Sequence, residues 1–306
     1  MSVYDELSPD MQAFARYLKK ADDLIASDAI EDVRLGTRRL RDEAGRRIPA
    51  VDNVEEGAFE GMRFRTYRPA TAPGVPTVIY LHGGAWSHLD IDVYDPIMRQ
   101  VAADGPVRVI GLEYPLVPEV RFPANMEACV RFVRHVMARE PNTPIVLMGD
   151  SAGANLAIGT AILLRDRYKT QLAGLALIYG GFDLENERES DSRYGGGELP
   201  MTTEGVRASQ AFYLGKDGDP ANPLISPIKA DLRGLPPTFL SVASHDNLYD
   251  ENIEMARQLG YAGVAVELKI YPRAIHGFLE AWSVTGSPIA KTALEDLARF
   301  SVSRGR

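Results

Sequence analysis

From residue 77 onward the chain is punctuated by short, nearly continuous apolar runs: "TVIYL", "VRVIGLEY", "PIVLM", "LAGLALIYG", "PTFLSVAS" and "VAVELKIYP". Such runs lack the strict alternation of a half-exposed strand and read as strands buried on both faces. Between most of them lie helix-like stretches, such as Asn125 to Arg139 and Asp250 to Leu259. Strands and helices in alternation predict an α/β architecture: a doubly wound, mostly parallel central sheet flanked by helices. Ligands of such sheets bind beyond the carboxyl ends of the strands, so residues just after each run carry the most information.

Two segments depart from the alternation. Residues 1–48 place Met11, Phe14, Ala15, Tyr17, Leu18, Leu24, Ile25, Ile30, Val33 and Leu40 at helical spacing among many charges. That pattern predicts two or three amphipathic helices, packed as a cap segment onto a main domain of residues 49–306. Just after them, "GAFEGMRFRTYRPA" (residues 57–70) alternates as antiparallel strands do. Residues 184–224 are far longer than an ordinary connection. Their charge, glycines and one short helical pattern, Val206 to Leu214, predict an inserted cap over the site.

A net charge of -8 argues against a nucleic-acid or anionic-membrane surface. No apolar stretch approaches the roughly 20 residues needed to span a bilayer. The polar N-terminus lacks a signal-peptide core, and the single cysteine, Cys129, excludes an internal disulfide. A cytoplasmic protein with no membrane or nucleic-acid partner is the expectation.

The stretch "VLMGDSAGANLAIGTAILL", residues 146–164, places Ser151 where an apolar run turns into a helical one. Glycines stand two residues to either side. A nucleophile elbow needs that arrangement, because the serine backbone is strained and its neighbours must be small. By chance alone, G-x-S-x-G occurs in roughly one chain in ten of this composition, so the motif needs partners.

A serine hydroxyl needs a base, normally an imidazole oriented by a carboxylate. The five histidines are His82, His88, His135, His245 and His276. In a sheet of this kind the order is Ser, then Asp or Glu, then His, and only His245 and His276 follow Ser151. His276, in "YPRAIHGF" after the last run, is the candidate base. Asp246, at the end of "PTFLSVAS" and one strand earlier, is the favoured acid. Asp183 and Asp250 are its rivals, and Asp250 also reads as a helix cap. At the end of the first long run stands "YLHGGAW", residues 80–86. Adjacent glycines there let amides turn toward a developing oxyanion, so Gly83, Gly84 and Ala152 are the expected donors.

These residues resemble the hormone-sensitive-lipase-like esterases, a branch of the α/β-hydrolase fold. The resemblance covers roughly residues 76–300 and rests on "HGGAW", "EYPLVPEVRFPA", "GDSAGAN", "SPI", "GLPPTFLSVASHDNLYDEN" and "IHGF". It implies a carboxylesterase with Ser151, Asp246 and His276 as triad, and Gly83, Gly84 and Ala152 as oxyanion hole. It implies a small-molecule ester substrate, no cofactor, no metal, and a homodimer through the edge of the last strand. In the family, the N-terminal helices and the insertion before the seventh strand form the cap. Ala85 stands where the family has a third glycine, and Asn247 where proline commonly follows the acid. Leu89 and Tyr94 replace a usual glycine and histidine.

Aromatic residues near strand ends or in the cap are candidates for lining the pocket: Trp86, Tyr94, Phe182, Phe212, Tyr213 and Phe278. Alternative readings keep the chemistry on another bond, as in an amidase, formamidase or lactonase, or make the chain a ligand-binding protein on the same scaffold. The presence of His276 weighs against the binding protein.

Overall fold

The N-terminal periodicity folds into three helices, α1 (Pro9–Lys19), α2 (Ala21–Leu24) and α3 (Ile30–Glu43). Pro9 opens α1, where its missing N–H and fixed φ suit the first turn. Met11, Phe14 and Ala15 are buried in the same apolar cluster as Val78 and Tyr80 of the central sheet, so this segment shares the core of the rest of the chain. The computed structural model describes residues 2–68 and 75–305. Met1, residues 69–74 and Arg306 lie outside the described residues, and with them Pro69 and Ala70 of the alternating segment.

That segment forms a hairpin of β1 (Asn53–Phe59) and β2 (Met62–Arg68). Glu60 and Gly61 turn it, both at positive φ, the geometry that matches the twist of paired strands. Next come β3 (Thr77–Leu81), α4 (Asp95–Asp104), β4 (Arg108–Leu112), α5 (Ala124–Arg139), β5 (Ile145–Asp150), α6 (Ala152–Tyr168) and β6 (Gly174–Ile178). Two helices interrupt the alternation, α7 (Glu189–Tyr194) and α8 (Thr203–Leu214). It resumes with β7 (Thr238–His245), α9 (Tyr249–Tyr261) and β8 (Val266–Ile275), and the chain ends in α10 (Ala281–Thr285) and α11 (Pro288–Ser303).

Among the described residues, one sheet holds the eight strands in the order β1-β2-β4-β3-β5-β6-β7-β8. Strands β3 to β8 pair in parallel, while β2 runs antiparallel to both β1 and β4. The runs of β3 to β7 are apolar because both faces are covered, whereas β8, at the sheet edge, is largely exposed and carries Glu267 and Lys269 among its apolar residues. Ile79 and Leu81 belong to one core layer with Met126 of α5, Leu156 of α6 and Met255 of α9. Val78 and Tyr80 belong to the other, with Phe14 of α1, Ile97 of α4 and Leu297 of α11. Helix α6 has no polar side over its first turns: every residue from Ala152 to Leu164 is buried.

The insertion contains two helices where periodicity shows one. Helix α8 starts three residues before the apolar pattern does, because the Thr202 hydroxyl accepts from Gly205 N–H and caps it. Helix α7 spans six residues, too few for a helical repeat to register in the sequence. Both ends of the insertion are anchored to helix α6 and to each other. The Asn155 amide donates to Gly181 O at 2.8 Å and Ile225 O at 2.7 Å. Leu184 N–H donates to Ser226 Oγ at 2.8 Å, which gives the serine of "SPI" its structural part.

Glu251 of α9 is a further buried anchor. Its Oε2 accepts from Phe182 N–H at 2.7 Å and Asp183 N–H at 2.6 Å, and burial pushes its carboxyl up to about 8. A group whose folded pKa is raised supports the fold fully below its unfolded value, and that support is lost as pH rises through 8. Glu251→Gln keeps an oxygen for both amides and cannot ionise. The melting temperature of the unaltered chain should therefore fall more steeply between pH 5 and 8 than that of the variant, by roughly a few degrees. Parallel slopes in thermal melts would show that another group sets the alkaline limit.

Candidate active site

Ser151 sits at the turn from β5 to α6 with φ 52° and ψ −122°, a strained backbone for a residue with a side chain. Its N–H is held by Ile178 O at 2.9 Å. The flanking glycines are a steric requirement. A Cβ on Gly149 would meet Gly153 O at 2.3 Å, and one on Gly153 would meet Leu81 O at 2.0 Å. The small neighbours read from the sequence are needed for this turn to form.

Three distant residues meet at the turn. His276, just past β8, places Nε2 2.8 Å from Ser151 Oγ and Nδ1 2.8 Å from Asp246 Oδ2. Asp246, just past β7, is buried, and its other oxygen accepts from Leu248 N–H at 2.9 Å. Because a carboxylate only accepts, Nδ1 carries a proton and Nε2 is left as the acceptor for the serine hydroxyl. The rival carboxylates are engaged elsewhere. Asp183 pairs with Arg188 at 2.6 Å and with the Asn186 amide at 3.0 Å. Asp250 accepts from Ser190 N–H at 2.8 Å, joining α9 to the insertion. It lies in the first turn of α9, and Leu248 occupies the cap position instead. His245 meets Ser244 Oγ and Glu6, and His135 lies against Phe59 with ring centroids 4.3 Å apart.

Of the three expected oxyanion donors, one amide is already engaged. Gly83 N–H donates to Asp150 Oδ1 at 2.9 Å, so it is not free for a substrate. The next residues line the cavity in front of Ser151: Gly84 at φ 111° and Ala85 at φ 51°. Among the described residues the amides of Gly84, Ala85 and Ala152 make no hydrogen bond, and Ala152 opens α6, where the helix dipole favours negative charge. The unengaged amides on this loop are thus those of Gly84 and Ala85, one position later than the glycine pair. The motif marks where the backbone bends and does not mark which amide is already taken.

What takes the Gly83 amide is a buried carboxylate cluster. Asp150, beside the serine, accepts from Tyr80 OH at 3.0 Å and Tyr94 OH at 2.8 Å as well. Burial pushes its carboxyl up to about 6, against the pull of the two phenols. Burial and the Asp150 charge push both phenols well up, so Tyr80 and Tyr94 stay donors. The cluster thus ties the loop after β3 to the turn after β5. His82 stacks on Tyr114 with centroids 4.4 Å apart, and burial lowers its pKa to about 4. Its Nδ1 lies 2.7 Å from Gly83 O, a loop-organising contact.

The cavity has a volume of about 400 Å³. Phe14 and Leu18 of α1, Arg41 of α3, and Val206 and Gln210 of α8 line it, so both the N-terminal helices and the insertion overlie Ser151. Of the aromatic candidates, Trp86 and Tyr94 line it; Phe182, Tyr213 and Phe278 do not. Phe182 and Tyr213 are buried in one core layer, where Tyr213 stacks on Trp86 at 4.4 Å, and Phe278 is buried in the other. Phe212 is exposed beneath the Arg121 guanidinium. Tyr179, which the sequence reading passed over, lines the cavity 4.9 Å from the His276 ring. Its place at the end of the "LAGLALIYG" run, one residue past β6, was the available signal. Arg41, paired with Glu280 at 2.9 Å, had none. Among the described residues no group of three or more His, Cys, Asp or Glu is arranged to hold a metal ion. No helix among them is long and apolar enough to cross a membrane.

A family model described as alpha/beta hydrolase fold matches residues 78–280. The carboxylic ester hydrolase LipN of Mycobacterium tuberculosis is 33% identical over 240 residues, which is 74% of this chain and 64% of LipN. The chain belongs to the hormone-sensitive-lipase-like carboxylesterases. An esterase of Acinetobacter venetianus is 30% identical over 76% of this chain and 77% of its own length. Among solved structures, an esterase of Pyrobaculum calidifontis superposes with a TM-score of 0.86 at 28% identity, covering 97% of this chain and 98% of that one. An esterase described as belonging to the bacterial hormone-sensitive lipase family gives 0.85 at 26% identity, over 98% and 99%. The expected α/β-hydrolase fold and family therefore hold for this chain, which spans less than two thirds of the length of LipN.

Proposed function

We propose that this carboxylesterase cleaves small carboxylic esters through an acyl-enzyme on Ser151. His276 takes the hydroxyl proton as Ser151 Oγ attacks the ester carbonyl. The amides of Gly84, Ala85 and Ala152 receive the oxyanion, in place of the Gly83, Gly84 and Ala152 set read from sequence. His276 then gives its proton to the leaving alcohol, and next activates a water that releases the acid. Asp246 holds the imidazole in the required tautomer and stabilises its cation. The N-terminal helices and the 184–224 insertion act as the cap that limits substrate size. Two copies associate through β8, the sheet edge on which Leu268 and Ile270 are exposed.

The observation that carries the reading is the unbroken hydrogen-bond chain from Asp246 through His276 to Ser151, 2.8 Å at each step, beside unengaged amides. Hydrolysis of p-nitrophenyl esters from acetate to decanoate tests it. Activity should be greatest on the short acyl groups and fall as the chain outgrows a cavity of about 400 Å³. No turnover of any ester would overturn the reading.

A further inference from the structure

A second cavity, of about 530 Å³, lies between α3 and the β1–β2 hairpin. Three residues line both it and the cavity in front of Ser151: Thr37, Leu89 and Val93. They are the partition between the two spaces. Thr37 turns its hydroxyl back onto its own helix, at 2.8 Å from Val33 O, and so presents only its methyl side to a neighbour. Leu89 is the large side chain of the three on a non-helical segment, and it is partly buried against the core.

The loop that carries Leu89 is fixed on both sides. Asp90 Oδ1 accepts from Asp92 N–H and Val93 N–H, each at 2.9 Å, and Asp90 also pairs with Arg38 of α3. On the other side, Arg34 Nε donates to Ser87 O at 2.8 Å and His88 N–H donates to Gly84 O at 3.0 Å. Within this frame Leu89 holds φ 65°, in the left-handed region that favours glycine. A leucine kept there against its backbone preference supplies something a glycine would not, namely bulk at the partition. A loop anchored this way makes a fixed wall and not a mobile gate.

We propose that Leu89 sets the length limit of the ester by closing the active-site cavity off from the second one; this rests on the serine-esterase reading of that cavity. Removal of the leucine side chain joins the two spaces and offers a longer acyl or alkyl tail the apolar part of the second cavity: Met62, Tyr114, Pro115 and Leu116. The arginines and carboxylates on its remaining walls make the gain larger for a tail that ends in a hydroxyl than for a plain alkyl tail.

The test compares kcat/KM for p-nitrophenyl butyrate, decanoate and 10-hydroxydecanoate in the unaltered chain, Leu89→Ala and Leu89→Gly. Alanine at φ 65° is no more strained than the leucine it replaces and glycine is relieved there, so the backbone conformation of the loop is open to both variants. The expected result is a decanoate-to-butyrate ratio raised about tenfold or more in both variants, with a further rise for the hydroxylated tail. An unchanged ratio with butyrate turnover retained overturns the proposal. So does an equal loss at every chain length, which would make Leu89 a structural residue. If the unaltered chain cleaves no ester, the esterase reading fails first, and this inference falls with it.

Discussion

Ser151→Ala is expected to lower turnover of p-nitrophenyl butyrate by about 10⁶, the scale on which loss of a triad serine acts. The substitution removes the oxygen that lies 2.8 Å from His276 Nε2 and leaves the rest of the site in place. Alanine at φ 52° is no more strained than serine, and Ser151 N–H still reaches Ile178 O, so the turn persists. The variant should therefore melt within a few degrees of the unaltered chain. Residual turnover above the uncatalysed rate would come from the amides of Gly84, Ala85 and Ala152 and from binding. An active variant, within tenfold of the original on purified protein, would remove Ser151 from the chemistry.

Asp246→Asn should cost about 10⁴ in kcat. An asparagine amide presented to Nδ1 favours the imidazole tautomer whose proton is on Nε2, facing Ser151 Oγ, where it cannot act as a base. The Asn oxygen can still accept from Leu248 N–H, which Asp246 Oδ1 does now at 2.9 Å, so the loop after β7 is retained. The same substitution at Asp183 or Asp250 separates the rivals. Asp183 serves Arg188 and Asn186, and Asp250 serves Ser190 N–H, so each should affect the anchoring of the insertion and leave the rate-limiting chemistry largely alone. A 10⁴-fold loss at Asp183 with Asp246→Asn active would reassign the acid.

The outline of the fold was legible because burial on both faces leaves a mark that does not depend on distant partners. Inner runs such as "TVIYL", "PIVLM" and "LAGLALIYG" had to be apolar throughout, and each became a buried strand; "VAVELKIYP", with its Glu267 and Lys269, became the largely exposed edge strand β8. The serine turn was legible for a similar reason. The clashes that require Gly149 and Gly153 involve backbone atoms within a few residues, or the neighbouring strand that any such sheet provides. Helix α7 was not legible, since six residues cannot display a repeat.

Other features were decided where elements far apart in the chain come together. "HGG" marks a bend, yet Asp150, reaching across from the next strand, engages the Gly83 amide and leaves those of Gly84 and Ala85 free. Aromatic rings near strand ends or in the cap look alike in sequence, but tertiary packing encloses Phe182, Tyr213 and Phe278 in the core layers, while Trp86, Tyr94 and Tyr179, buried in the same layers, also line the cavity. Arg41 reaches the site only because α3 folds back over the sheet. Local sterics and burial are written into neighbouring residues; hydrogen-bond competition and side-chain facing belong to pairs that only folding brings within reach.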